Sequence, residues 1–361
     1  MNTRKVITLI GLFAVACLEA TACDVPVFRY ALERWPADYY QVTVFHRGPL
    51  STNQQAVVQA LRRASDDGLV NMNVAQVDVG GELTGHAEKL WKAQAQPELP
   101  MVVVQYPSIT GLEPLAAKGP LTAAFAQQLV DSPVRREMRQ RILRGDSIVW
   151  LLLESGDKQQ DDKVASLLQA ESKRLAGLIE LPPVDPSDPR TEVNVTLKIA
   201  FSLVRVSRRD PAERLLVSQL VNLNPRLAEA KGPLVFPVFG RGRALCGLAG
   251  VELTADNVEE IAIFLTGACS CEVKAMNPGV DLLLAADWDA LVEGRMVQEP
   301  AMPPLVSLSQ LAAQALTTNS QTAASTSQAK TLLRNLIVAI GLCVVAVMVG
   351  TVLLRNRGRK P

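Results

Sequence analysis

Cysteine is the most reactive candidate residue type in this 361-residue chain, and two of its six cysteines are separated by a single residue. Cys269 and Cys271 flank a single serine. A disulfide between them closes a small, strained ring, and strain makes a disulfide more oxidising and easier to exchange. As thiolates, the pair could instead hold copper(I) with Met276 as a third ligand, because soft sulfur ligands select that ion. The spacing therefore indicates a redox pair or a soft-metal site.

A structural role is the alternative for these cysteines. Two of the six lie in terminal apolar segments, which leaves Cys23 and Cys246 as partners for Cys269 and Cys271. An even number of cysteines outside the cytoplasm allows two disulfides in three connectivities. A bridge from Cys23 to either cysteine of that pair closes a loop of over 200 residues and contributes roughly 4–5 kcal/mol in the chain-entropy model. All four therefore remain candidate disulfide cysteines.

Two further groups of residues are candidate ligand-binding sites. The Gly-Arg-Gly run at 240–242 has backbone amides that could bind an anion, but no helix is expected to follow it, so we interpret it as a hairpin turn. Asp281, Asp287 and Asp289 could ligate calcium, yet they lack the glycine and the spacing of a calcium loop. We expect them on a solvated edge.

The remaining polar residues give no catalytic motif. His46 could act as an acid or base, but no nucleophile motif accompanies it. His86 is expected to cap its helix or face solvent, and Asp161 with Asp162 to be exposed helix charges. The sequence holds no phosphate-binding loop, no nucleophile elbow and no H-E-x-x-H. We identify no small-molecule substrate.

The first 22 residues predict a secretory signal. A basic start is followed by an apolar run that is short for a bilayer span, and then by the small residues 20–22, Ala-Thr-Ala, as a cleavage site. Cys23 follows that site directly, so lipidation of Cys23 is an open alternative.

A second apolar segment lies at the other end. Residues 336–354, bounded by Leu336 and Leu354, contain no charged side chain and match the roughly 30 Å core of a bilayer at about 1.5 Å per residue. The basic tail 355–361 marks the cytoplasmic side. Residues 296–335, rich in Ser, Thr, Ala and Gln, predict a flexible tether. We expect a single-pass protein of the inner membrane with its bulk exported.

Charge excludes one class of partner. Residues 23–334 carry 31 basic and 35 acidic side chains, a net charge of −4. A nucleic-acid binder needs a basic face, so we expect no nucleic-acid partner. With 48% apolar residues the chain can nevertheless bury a core.

Strands alternate with helices along the exported part, which predicts α/β sheets covered on both faces. Strands are expected at 41–45, 73–79 and 101–105, then again at 147–153, 193–206, 234–239 and 244–249. Helices are expected at 51–63, 86–95, 121–143 with a break at Pro133, 163–179, 211–223 and 254–265. The same order occurs twice, which divides the chain into regions 23–145 and 146–295.

The first region resembles the thioredoxin-like superfamily. A strand ending at Phe45 runs into Gly48-Pro49 and then a helix, as in the family's strand, Cys-Gly-Pro-Cys turn and helix. Leu99-Pro100 looks like the family's cis-proline before the third strand. The second region is similar only in its latter half, and Pro237 inside a strand argues against it. The resemblance implies two tandem thioredoxin-like domains followed by the transmembrane helix.

The departure from the family matters for function. Arg47 and Leu50 stand where the family has its two redox cysteines, and residues 154–157 of the second region contain no cysteine either. Thiol exchange needs a thiolate, so the resemblance implies that the ordinary chemistry is lost. Residues 23–35 and 267–271 also resemble an uncharacterised bacterial exported family, which implies no activity. We therefore predict a non-catalytic, membrane-anchored scaffold for another envelope protein, without cofactor. A redox relay through Cys269 and Cys271, or copper binding, is the alternative.

Overall fold

Two sheets with flanking helices make up the part of the chain that the computed structural model describes, namely residues 25–95, 97–112, 115–181, 198–267, 274 and 277–292. The chain is thus mixed α/β, as predicted. The signal segment, the tether and the membrane span lie outside the described residues, as do Cys23, Cys269, Cys271 and Met276. Within the described ranges, no helix combines the length and the apolarity that crossing a bilayer requires.

The elements of the first region are, in chain order, α1 (Val27–Arg34), β1 (Tyr40–His46), α2 (Thr52–Asp66), β2 (Met72–Asp78), α3 (Gly85–Lys92), β3 (Met101–Gln105), β4 (Leu115–Pro120), α4 (Ala123–Val130) and α5 (Pro133–Leu143).

The elements of the second region are β5 (Ile148–Glu154), α6 (Lys158–Ala176), β6 (Phe201–Ser207), α7 (Arg214–Val221), α8 (Pro225–Glu229), β7 (Leu234–Phe239), β8 (Arg243–Ala244), β9 (Leu248–Ala249), α9 (Ala255–Thr266), β10 (Val280–Asp281) and α10 (Trp288–Val292).

Both sheets share one strand order. The first runs β2-β1-β3-β4, with β1 parallel to β2 and antiparallel to β3. The second runs β6-β5-β7-β8-β10, with β9 also paired to β7; β5 is parallel to β6 and antiparallel to β7. β1, β2, β3 and β4 thus correspond to β5, β6, β7 and β8. The repeated order of strands and helices predicts this repeated topology.

Local sequence explains where several helices begin. Ser51 caps α2 with a capping box, since its hydroxyl accepts from Gln54 N while the Gln54 side chain accepts from Ser51 N. Pro133 does not kink one long helix over 121–143, as we expected, but opens a second one at its first turn. The helix predicted at 163–179 begins earlier, at Lys158, because Asp157 caps it.

Two features of the sheets run against the sequence pattern. β4 was not predicted, because its Ala-Ala-Lys-Gly stretch has poor strand propensity. Pro237 lies inside β7 without disrupting it. Its carbonyl accepts from Leu245 N at 3.0 Å on the side of β7 that faces away from β5, where pairing changes from β8 to β9. The N–H that proline lacks would point to that same side, so no hydrogen bond between β7 and β5 is lost. The Leu99–Pro100 peptide bond is cis, as the resemblance implies.

The cores of the two sheets draw on distant parts of the chain. Phe28 of α1 and Trp35 pack with fully buried Trp150 beside the second sheet, although α1 precedes the first. Leu283 and Ala285, near the end of the described part, pack with Val44 in the core of the first sheet. Each such buried large side chain contributes about 1.5–3 kcal/mol. The halves therefore exchange elements at both ends.

Candidate functional site

The loop after β1 lies where the resemblance expects a redox turn. Arg47 is exposed and Leu50 is buried against the core, so neither cysteine position offers a thiol. The Asp78 carboxylate accepts from Gly80 N at 2.8 Å and from Gly48 N at 3.1 Å. These backbone hydrogen bonds, Gly80 first, lower the pKa of Asp78, which is therefore charged at neutral pH. A carboxylate from the neighbouring strand thus fastens the turn.

In the corresponding turn after β5, a carboxylate of the following helix binds the backbone amides of the turn. Asp161 accepts from Ser155 N at 2.8 Å, from the Ser155 hydroxyl at 2.9 Å and from Gly156 N at 3.0 Å. Asp157 accepts from the first amides of α6. The expectation that Asp161 is an exposed helix charge was wrong: it is buried, because it satisfies turn amides that would otherwise lack partners. The helix terminus that activates a thiolate elsewhere is here used by protein carboxylates.

The two histidines do not form an acid–base site with a nucleophile in the described residues. His46 Nδ1 donates to the Gly48 carbonyl at 2.8 Å. His86 is exposed, as expected, and its Nε2 lies 3.0 Å from Gln105 Oε1. The His46 ring therefore supports the loop after β1, and the His86 ring contacts the end of β3.

Cys246 is the candidate cysteine that lies within the described residues. It forms no disulfide within the described residues and is half-buried, and burial, with Glu252 nearby, raises the pKa of its thiol to about 11. A thiol with that pKa is a poor nucleophile at neutral pH. The pairing of Cys246 and Cys23 with Cys269 and Cys271 stays a prediction, because the other three lie outside the described residues.

The described chain does bring the two ends of that predicted pairing close together. Val27 N, at the start of α1, donates to the Gly267 carbonyl at 3.1 Å, just after α9. Cys23 is four residues before Val27, and Cys269 is two residues after Gly267. At about 3.3–3.6 Å per residue, these lengths allow the 4.4–6.8 Å Cα separation of a disulfide.

Asp281 is buried at the centre of a charge network and not on the solvated edge that we expected. Its carboxylate accepts from Arg243 at 3.0 Å, from Asp38 N at 2.7 Å and from Lys274. Lys274 also pairs with the Asp38 carboxylate at 3.0 Å, and Arg243 stacks over the Trp35 ring at 5.9 Å. Two carboxylates and two cations thus compensate one another inside the protein.

A chain of polar groups continues from that network to Gln219 and to Tyr106, whose ring lies 5.9 Å from that of Tyr40. The Tyr40 hydroxyl donates to the Asp281 carbonyl at 2.6 Å and accepts from the Gln219 amide. The Tyr106 hydroxyl in turn donates to the backbone carbonyl of Gln219. Burial raises the pKa of Tyr40 well above its ordinary value, so the hydroxyl stays protonated and able to donate. Residues from both regions therefore meet in one buried network.

A second buried polar centre joins α5 to the second region. Glu213, with no exposed surface, accepts from the Ser132 hydroxyl at 2.6 Å and from Val134 N at 2.8 Å. Arg135 is equally buried and donates to the Leu283 carbonyl at 2.8 Å. A carboxylate at the first turn of α5 also complements the helix dipole.

No metal centre is found within the described ranges: they contain no group of three or more His, Cys, Asp or Glu side chains that could hold an ion. Asp289 pairs with Arg241 at 2.6 Å, and Asp287 accepts from Ala290 N at 3.0 Å. The 240–242 run is a hairpin turn, as predicted, with Gly242 N bonded to Phe239 O at 3.1 Å.

Two cavities open on the surface of the described part. A groove of about 610 Å³ runs between α2 and α4, with alanines 56, 60, 123 and 126 in its walls and no charged lining residue. A smaller cavity of about 320 Å³ lies beside the entry to β1 and β2, where it is lined by carboxylates, Asp66 and Asp67 among them.

No protein-family model, curated protein or solved structure matches the chain. The arrangement is therefore interpreted from its own geometry. That geometry offers two closed turns, a protonated thiol and buried networks that hold the sheets. Sequence analysis missed the networks, because an isolated Asp38 or Gln219 gives no signal of its partners hundreds of residues away.

Proposed function

We propose that this chain is an exported, membrane-anchored binding or scaffold protein, built on two thioredoxin-like domains that have lost thiol chemistry. The strand order β2-β1-β3-β4 with a helix after each of β1 and β2, repeated by the second sheet, supports the thioredoxin-like part. Export and anchoring rest on the sequence of residues 1–22 and 336–354. Its partner is another envelope protein.

The two closed turns carry the non-catalytic part of this proposal. In each, the backbone amides at the start of the helix or in the adjoining loop are bonded by protein carboxylates, Asp78 in the first and Asp161 in the second. A catalytic thiolate uses such amides to lower its pKa. With carboxylates there instead, the turns hold the strand and helix ends together as a rigid frame for binding.

Reduction of insulin tests this function directly. The full chain in mild detergent, mixed with dithiothreitol, should precipitate insulin no faster than dithiothreitol alone. The variant Arg47→Cys/Leu50→Cys carries the Cys-Gly-Pro-Cys sequence but should stay inactive, because Asp78 still holds the Gly48 amide of the closed turn. A gain of activity in this variant would contradict the role given to the closed turn. Arg47→Ser/Leu50→Ser is the matched control and should stay inactive.

The same assay separates the redox alternative. If the unmodified chain accelerates precipitation and Cys269→Ser/Cys271→Ser abolishes the effect, the chain is a relay and the scaffold proposal is wrong. Peptide mapping without reductant adds a second criterion, since structural bridges join Cys23 or Cys246 to that pair, and a relay joins Cys269 to Cys271.

A further inference from the structure

We propose that β2 is a docking edge that takes an extended segment of a partner protein as an additional strand. This inference rests on the proposed binding function and deepens it, because it names the surface and the class of partner. Among the described strands, β2 lies at the edge of the first sheet and pairs on one side only, with β1. Its seven-residue register with β1 is parallel and without interruption.

The hydrogen bonds that bracket β2 show which way its backbone groups point. Tyr40 N donates to Asn71 O at 2.9 Å, and Val79 N donates to His46 O at 2.8 Å. Backbone groups of a strand alternate between its two neighbours. Odd-numbered residues from 71 to 79 therefore bond β1, and even-numbered ones face away from the sheet.

The outward groups form an open ladder. Val74 and Gln76 each direct an N–H and a C=O away from β1, and Asp78 adds an N–H. Nothing in the described part of the chain bonds these five groups; by contrast, Met72 O already accepts from the Ser65 hydroxyl. An added strand could satisfy all five, which is how an extended peptide joins a sheet edge.

Residues 72–77 of β2 also lack the features by which proteins protect an edge. Such features are proline, bulges and charges within the strand. Residues 72–77 contain none of them, and the side chains of Asn73 and Ala75 are exposed. The equivalent edge of the second sheet, β6, carries Arg205, which pairs with Glu154 at 2.6 Å and with Asp162 at 2.9 Å. The edge strand β6 thus carries a charged side chain in its interior, and residues 72–77 of β2 carry none.

Charge favours a foreign strand over a second copy of this chain. The exposed Arg62 guanidinium lies beside the Gln76 amide and forms no ion pair with a described carboxylate. In an antiparallel pair of two β2 strands with Val74 opposite Gln76, the two Gln76 residues are diagonal neighbours, about 7–8 Å apart. The two Arg62 charges would then repel. A partner strand with an acidic side chain opposite Gln76 would instead pair with Arg62.

Two synthetic peptides test the inference on the full chain in mild detergent. Dye-labelled acetyl-Thr-Val-Thr-Glu-Thr-Val-Thr-amide should bind, by fluorescence anisotropy, about threefold more tightly than its lysine counterpart. Hydrogen exchange at Val74 and Gln76 should slow on binding. Gln76→Pro should weaken binding about tenfold, because it removes an outward N–H but no bond to β1. Gln76→Thr keeps that N–H and should bind within about twofold of the unmodified chain.

A second variant keeps the test decisive if Gln76→Pro fails to fold. Arg62→Glu should reverse the preference, so that the lysine peptide binds more tightly. The inference is wrong if neither peptide slows exchange at Val74 and Gln76, if Arg62→Glu leaves the preference unchanged, or if light scattering shows a dimer that Gln76→Pro dissolves. Insulin reduction judges the non-catalytic function separately, so either proposal can fail alone.

Discussion

Replacing Asp281 with asparagine should cost about 3 kcal/mol of folding stability. The carboxylate is buried and bonds Arg243 at 3.0 Å, Lys274 and the Asp38 amide at 2.7 Å. Removing one partner of a buried ion pair costs about 3–5 kcal/mol, because a charge is left uncompensated. We expect the lower end of this range, because the Asp38 carboxylate still lies 3.0 Å from Lys274 and 3.7 Å from Arg243 and compensates part of their charge.

Thermal unfolding of the full chain, followed by tryptophan fluorescence, measures this loss. For a folded part of this size, 1 kcal/mol corresponds to roughly 2–4 °C, so Asp281→Asn should lower Tm by about 6–12 °C. Asp289→Asn is the matched control: it breaks an ion pair of 2.6 Å to Arg241 whose carboxylate is 59% exposed. Exposed pairs contribute about 0–1 kcal/mol, so Tm should fall by less than about 4 °C.

A double-mutant cycle decides whether the loss arises from the network. Arg243→Met removes the cation that Asp281→Asn leaves behind, so the double variant should be destabilised less than the sum of the two single variants. Equal Tm shifts for Asp281→Asn and Asp289→Asn, or additive single effects in the cycle, would refute the reasoning that the buried charges compensate one another.

Three further predictions concern stability. Gly247→Ala should destabilise by about 1–3 kcal/mol in urea unfolding, because an added Cβ would lie 2.8 Å from the buried Phe236 ring; an unchanged midpoint contradicts it. Asp161→Ala should cost about 2–4 kcal/mol by the same assay, since it leaves two turn amides unpaired; Asp161→Asn should recover part of the loss. Burial, with the nearby Asp281 charge, raises the pKa of Asp38 above its ordinary 3.8, so the folded state keeps a proton that the unfolded state releases. Stability from this group is therefore present below pH 3.8 and lost as pH rises through the folded pKa; Asp38→Asn should remove that part of the pH dependence of Tm.

The order of elements could be predicted from sequence because each strand and helix carries its own local signal. Apolar runs such as β3 and caps such as Ser51 and Thr254 act within a few residues. β4 escaped prediction because its alanines and glycine favour no strand by themselves. It is held instead by neighbours: Ser218 donates to Ala116 O at 2.9 Å.

The burial of charged residues could not be predicted in the same way. Asp161 and Asp281 look like surface charges in the sequence, although both are buried. The local sequence around an acidic residue does not show which amide or cation it will bind in the folded protein. Their burial depends on partners that the fold supplies, such as the Ser155 amide and Arg243. The absence of cysteine at positions 47, 50 and 154–157, by contrast, is visible in the sequence itself and depends on no partner.

Closed turns and an exchanged core together favour a rigid frame over a catalytic site. A catalytic thiolate needs free amides and access, whereas here Asp78 and Asp161 occupy the amides at the two corresponding turns. The Tyr40–Asp281 bond joins the start of the first sheet to the end of the described chain. Because buried polar groups are costly when they lose their partners, this bond favours one arrangement of the two sheets. The open edge of β2 is thereby presented on a fixed support, which lowers the entropy that a partner strand must lose on binding.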